Sequence, residues 1–271
     1  MFISQATTDL SLLKAMQEAI SSSDIIEVKH QMAEQSAMLQ ATRSPVHSKL
    51  DNPKSYKVDE LSQTIIPKTF SNNIAVAIQG NGNCLFNAMS MALCGNNILA
   101  NCLRCLTAGE LFVHSDAYVH HPLLENVAEI LPGSDDASIF SSLLPSDAVD
   151  VFYDNEMDKA LSIKQTALEV CIDKKHSTFI SMLALSSVTQ CHISSVYPEF
   201  DGFPLRPLFN NLIVPLHKTR NEEVVIMWSR DGNFDNRQGV AFTPNHFVLL
   251  IRGTSQQQFP FKMLDPQHNR S

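Results

Sequence analysis

The stretch Gln79-Gly80-Asn81-Gly82-Asn83-Cys84-Leu85-Phe86-Asn87-Ala88-Met89-Ser90 decides how the chain is read. Gly80 to Asn83 are residue types that tolerate tight or left-handed backbone and leave N–H groups free. Directly after them Leu85, Phe86, Met89, Ala92 and Leu93 recur at the spacing of one buried helix face. The pattern predicts a loop, then a helix that starts at Cys84, runs to about Cys94 and stops at Gly95-Asn96-Asn97. A thiol in a first turn meets free N–H groups and the positive end of the helix dipole. The expectation is therefore a lowered thiol pKa and backbone donors for an oxyanion. This is how a nucleophile is mounted.

Working outward, Ala75-Val76-Ala77-Ile78 is a short β-prone run that delivers the chain into the loop. Residues 98–113 read as a second buried helix, and Lys164 to Val188 as one long helical pattern. The strand candidates come late: residues 191–197, residues 211–216, Glu223 to Trp228, and Phe247 to Ile251. Helices first and strands afterwards predict an α+β fold rather than alternating βαβ units. Residues 1–43 carry two loose apolar stripes without heptads, and read as a helical extension or a partner-binding helix pair. Residues 44–70, with Pro45, Pro53 and Pro67, read as an irregular lead-in. Residues 114–160 are mixed, broken at Pro122, Pro132-Gly133 and Pro145. The division is residues 1–70 as extension and lead-in, 71–254 as the main domain, and 255–271 as a polar tail.

The composition narrows the function classes. The chain has 271 residues, 44% of them apolar and 18% charged, which permits a sizeable core. A net charge of −8 leaves no overall basic footprint for nucleic acid, and Lys174-Lys175-His176 is too small a patch to change that. No apolar run approaches the roughly 18 residues a membrane span needs, and no secretory leader is evident. Six cysteines in a chain of this kind read as reduced thiols, so the expected compartment is cytoplasmic or nuclear.

A thiol nucleophile needs a base, and His246 is the candidate, placed directly before the apolar run Phe247 to Ile251. A cysteine on a helix and a distant histidine on a strand, adjacent only in the fold, is the general Cys–His arrangement. The bland alternative is a packing cysteine and a core histidine. A rival chemistry lies in Cys102 and Cys105 with His114, His120 and His121, which are zinc-ligand residue types. Residues 106–113 separate the second cysteine from the first histidine, fewer than the roughly twelve of clear zinc fingers. Cys102 and Cys105 also flank Leu103 and Leu106 on a core face, so structural thiols are expected and no metal site is assigned. His192, His217 and His268 have no partner visible in the sequence.

Gly80-Asn81-Gly82-Asn83-Cys84-Leu85-Phe86 resembles the Gly-Asp-Gly-Asn-Cys-Leu/Phe signature of the OTU (ovarian tumour) cysteine proteases, and Asn245-His246-Phe247 resembles their terminal histidine block. The resemblance covers about residues 72–253. It implies a papain-like α+β fold, a small central sheet flanked by helices, and hydrolysis of isopeptide bonds at the C-terminus of ubiquitin or a ubiquitin-like protein. Cys84 would attack the carbonyl and His246 would carry the proton, with backbone N–H groups around Gly82, Asn83 and Cys84 binding the oxyanion. No metal or organic cofactor, nucleic acid or membrane is implied. Two positions depart from the family. Its signature aspartate is Asn81 here, and the position two after the histidine, commonly Asp or Asn, is Val248. A neutral amide can fix an imidazole tautomer, as in Cys-His-Asn enzymes, so Asn81 joins the expected catalytic set, with Asp201 and Asp231 as other sources of charge. The alternatives are an OTU-fold module that binds ubiquitin or another protein without cleaving it, and an interaction protein working through residues 1–43.

Overall fold

The computed structural model describes residues 2–131, 136–143, 156–200, 203–232 and 242–253. The expected polar tail, Asp201, His268, Pro132-Gly133 and Pro145 lie outside the described residues. The helices are α1 (Phe2–Ser21), α2 (Ile25–Thr42), α3 (Glu60–Thr64), α4 (Cys84–Cys94), α5 (Ala100–Val113), α6 (Ser115–Val119), α7 (Pro122–Glu125), α8 (Val127–Ile130), α9 (Asp136–Leu143), α10 (Glu156–Val170), α11 (Phe179–Thr189) and α12 (Arg206–Phe209). The strands are β1 (Asn73–Val76), β2 (His192–Val196), β3 (Leu212–Ile213), β4 (Glu223–Ser229) and β5 (His246–Arg252), in the order β1-β5-β4-β2-β3. The fold is α+β, as the order of elements predicts. No described helix is long and apolar enough to cross a membrane.

β5 lies between β1 and β4, antiparallel to both, while β2 and β4 run parallel. Six of the seven β5 residues are buried, because both faces of the sheet are covered. Phe247, Leu249 and Ile251 face the main core with the helices. Val248 and Leu250 join Ala75, Val196 and Met227 on the other face, under Ile65, Ile66 and Phe70. The lead-in therefore supplies that second layer: Val58 bridges to Val76, and the Ser62 hydroxyl meets the Ser229 hydroxyl at 2.6 Å.

α5 is the central helix, packed by α1, α2, α4, α10 and α11. α1 and α2 send Leu13, Met16, Ile20, Val28 and Leu39 into the same core. Asp24 starts α2 by accepting from the N–H groups of Ile26 and Glu27, and Gly95 ends α4 in the left-handed region at φ 75°. The expected single helix from Lys164 to Val188 is instead two, α10 and α11. The break has a tertiary cause. Buried Arg104 takes the carbonyls of Val170, Ile172 and Lys175, which pulls the chain out of helical pairing, and Lys174 turns it at φ 62°.

Candidate active site

Cys84 opens α4 behind Asn83, which gives the helix no side-chain cap. The loop before it is held at three points. Gly82 sits at φ 78°, and a Cβ there would overlap the carbonyl oxygen of Lys174. Arg104, 1% exposed on α5, donates to the Gly82 carbonyl at 3.0 Å and stacks its guanidinium 4.8 Å from the Phe86 ring centre. Asn83 donates from its side chain to Asp173 at 3.2 Å. Gly82→Ala combines a disfavoured φ with a backbone collision, so we expect it to cost more than about 1 kcal/mol, read as a shift in the urea midpoint. A neutral substitution would contradict this geometry.

The sulfur of Cys84 lies where the first turn of α4 meets β5. The backbone N–H groups of Phe247, Leu85 and Cys84 itself favour its thiolate, as does the charge of Arg104. β1 pairs with β5 only as far as Leu249, and the thiol takes the Phe247 N–H beyond that point. The expected lowering of the thiol pKa does not occur. Cys84 is 1% exposed, and burial raises its pKa above the ordinary value by more than the donors lower it. Periodicity placed the thiol on the helix start but could not show how much protein would cover it.

His246 begins β5 opposite Ser229, one residue from the N–H that meets the sulfur. It is 3% exposed, and burial lowers its pKa below the ordinary value, so the ring is neutral at pH 7. Asp59, Asp231 and the Ile78 carbonyl pull the other way, and His176 adds to the lowering. Its Nδ1 has no hydrogen-bond partner among the described residues. Asn245 anchors the neighbourhood, its amide oxygen accepting from the Asp231 N–H at 2.8 Å, while Gly80 packs against the Asp231 carboxylate. Asp231 thus sits between the cysteine loop and the histidine strand.

Asn81 is otherwise engaged. Its side-chain oxygen accepts from the Asn83 N–H at 3.2 Å and the Asn87 side-chain amide at 3.3 Å, bonds that brace the loop on α4. Val248 is fully buried on the second sheet face. The structure therefore brings Cys84, Gly82, Asn83 and His246 to one corner of the sheet, and supplies carboxylates from Asp231 and Asp59. Asp59 escaped the sequence reading because its one legible feature was its place at the start of α3, where its side chain accepts from the Ser62 N–H at 2.8 Å. Arg104 escaped it too, since an arginine within an apolar helix gives no hint of four carbonyls converging on it. Cys102 and Cys105, the zinc candidates, are buried core thiols of α5, and burial raises the Cys105 pKa further.

A family model described as the OTU domain of vertnin matches residues 75–229, more than half of the chain. Vertnin of Danio rerio is 27% identical over 212 residues, covering 72% of this chain and 29% of the relative. Vertnin of Bos taurus is 28% identical over 184 residues, covering 65% and 26%, and that of Mus musculus 25% over 221 residues, covering 80% and 29%. The chain thus spans less than a third of the length of these relatives.

Proposed function

We propose, from the premise that this chain belongs to the vertnin OTU-domain family, that it is a thiol hydrolase acting at the C-terminus of ubiquitin or a ubiquitin-like protein. The single observation that carries the reading is the meeting of Cys84 with the N-terminal end of β5, where His246 stands one residue from the N–H that faces the sulfur. Cys84 attacks the carbonyl of the terminal residue and its proton passes to His246, which gives it to the leaving amine; water then cleaves the thioester so formed, its proton passing by way of His246 back to the sulfur. The N–H groups of Cys84 and Leu85 face the developing oxyanion, in a loop kept in place by Gly82, Asn83 and Arg104. Asp231 and Asp59 supply the negative field that favours the imidazolium formed during the step, the task of the carboxylate missing at residue 81. Asn81 shapes the loop.

At rest the pair is neutral, thiol and imidazole, since burial moves the two groups apart in pKa. Both are covered, so productive binding of substrate includes an opening of this corner. The pH profile follows with a definite sign. His246 accepts a proton only when neutral, so kcat/KM falls in acid, as pH drops through its lowered pKa. Burial raises the thiol pKa, so the thiol stays protonated through neutral pH and the rate is flat there. The test is release of a fluorogenic amine from the C-terminus of ubiquitin. We expect turnover with that profile, and about a tenfold loss in Asp231→Asn, equivalent to one pKa unit of charge interaction. A rate that declines as pH rises through neutrality would make the imidazolium the active form and contradict the neutral pair.

A second reading is a binding module of the same fold. It is favoured by the 1% and 3% exposures of Cys84 and His246 and by the uncharged residues at Asn81 and Val248. Saturable binding of ubiquitin by folded chain, with no amine release, would select it.

A further inference from the structure

Three ligand-type side chains outside the thiol site converge at the far end of α5. Glu110 lies in the last turn of α5, His114 caps that helix four residues on, and His217 reaches them from the segment after β3. One ligand atom from each lies within 4.8 Å of the others, with His217 Nε2 at 3.1 Å from Glu110 Oε1 and His114 Nε2 at 4.0 Å from Oε2. We propose that Glu110, His114 and His217 form a three-ligand site for a divalent transition ion, Zn²⁺ by the chemistry of the set.

Two imidazoles and one carboxylate are the borderline nitrogen and oxygen donors that Zn²⁺ takes, with a fourth position left to water. Bonds of about 2.0–2.1 Å in a tetrahedron place donors about 3.3 Å apart. The 3.1 Å between His217 Nε2 and Glu110 Oε1 is already close to that separation, and a movement of the partly exposed His114 side chain draws the three ligand atoms, now within 4.8 Å of one another, to it. The carboxylate is prepared from behind. Glu110 is buried, and the Tyr118 hydroxyl, itself fully buried, donates to Oε1 at 3.0 Å, the outer-shell bond that orients a ligating carboxylate. The imidazole rings of His114 and His217 stand edge-on, with centres 4.9 Å apart. The partly exposed histidines leave the cluster open on one side, which gives an ion its entry path.

The ion would clip the end of α5 to the segment after β3, a two-residue edge strand whose continuation is also tied by the Leu216 N–H on the Ser187 hydroxyl at 3.1 Å and by Val214 with His121. Glu110→Gln would disturb a buried hydrogen bond, so the test uses the histidines on the full chain, stripped with chelator. We expect one equivalent of Zn²⁺ by calorimetry and a higher melting temperature on addition. His114→Ala and His217→Ala should each weaken binding beyond the roughly 10–100-fold that loss of an outer-shell partner costs, and Tyr118→Phe should fall in that 10–100-fold range. Co²⁺ should give the visible bands of a four-coordinate site without thiolate charge transfer. Unchanged affinity in both histidine variants, thiolate charge transfer from cysteine ligation, or no binding to folded chain would each overturn the proposal.

Discussion

Arg104→Met is expected to cost this fold about 3–5 kcal/mol, because it removes the charged donor of four buried carbonyls, bonds of a kind that contribute roughly 1.5–3 kcal/mol each before relaxation. The guanidinium is 1% exposed and donates to the carbonyls of Gly82, Val170, Ile172 and Lys175. Burial lowers its pKa to about 10, with Asp173 opposing, so it remains charged at neutral pH. Methionine fills much of the volume but offers no donor, and leaves the carbonyls unpaired in a dry interior at roughly 1–3 kcal/mol each before relaxation. Arg104→Lys keeps the charge but not the planar fork, and should recover less than half of the loss. Denaturant midpoints decide this, and a cost below about 1 kcal/mol for Arg104→Met would mean that the carbonyls find other partners. The same residue joins fold and site: two of its bonds clamp the Cys84 loop at Gly82 onto the α10–α11 connection at Lys175.

The parts of this protein legible in the sequence are those set by local pattern. The α4 start at Cys84, its stop at Gly95, and β4 and β5 all follow from turn residues and apolar spacing over a few positions. The resemblance to the OTU family follows from two short motifs, around Cys84 and around His246, and the family match over residues 75–229 includes the first of them. What was not legible depends on long-range contacts. The carbonyls that split residues 164–188 into two helices are taken by an arginine from another helix. The direction of the Cys84 pKa turned on burial, which outweighs the lowering by the N–H groups of the helix start, and a local pattern does not show burial. Asp59 and His217 gained partners only through the fold, His217 by meeting Glu110 and Asp59 by standing in the field of His246. His114 was singled out for its ligand chemistry beside Cys102 and Cys105, yet its neighbours are Glu110 and His217.

Cys84→Ala is expected to remove thiol reactivity of the site completely, the largest single effect anywhere in the chain. Five other cysteines are present, but Cys102, Cys105, Cys171 and Cys191 are buried core thiols, and burial pushes the Cys171 pKa up to about 12. Cys94 ends α4 partly exposed, with its thiol against the Ser90 carbonyl at 3.2 Å and far along the helix from the loop donors. A small alkylating reagent could reach Cys94; a reagent delivered by ubiquitin should select Cys84, where the oxyanion donors and His246 stand. The alanine variant loses only a sulfur at the start of a well-packed helix and stays folded.

The most direct measurement is intact mass after incubating the folded chain with ubiquitin bearing an electrophilic C-terminus. The expected result is a single covalent adduct mapped by peptide mass to Cys84, absent in Cys84→Ala and slowed in His246→Gln. No adduct on the folded wild-type chain, or an adduct that persists in Cys84→Ala, would contradict the assignment of this site as a thiol hydrolase.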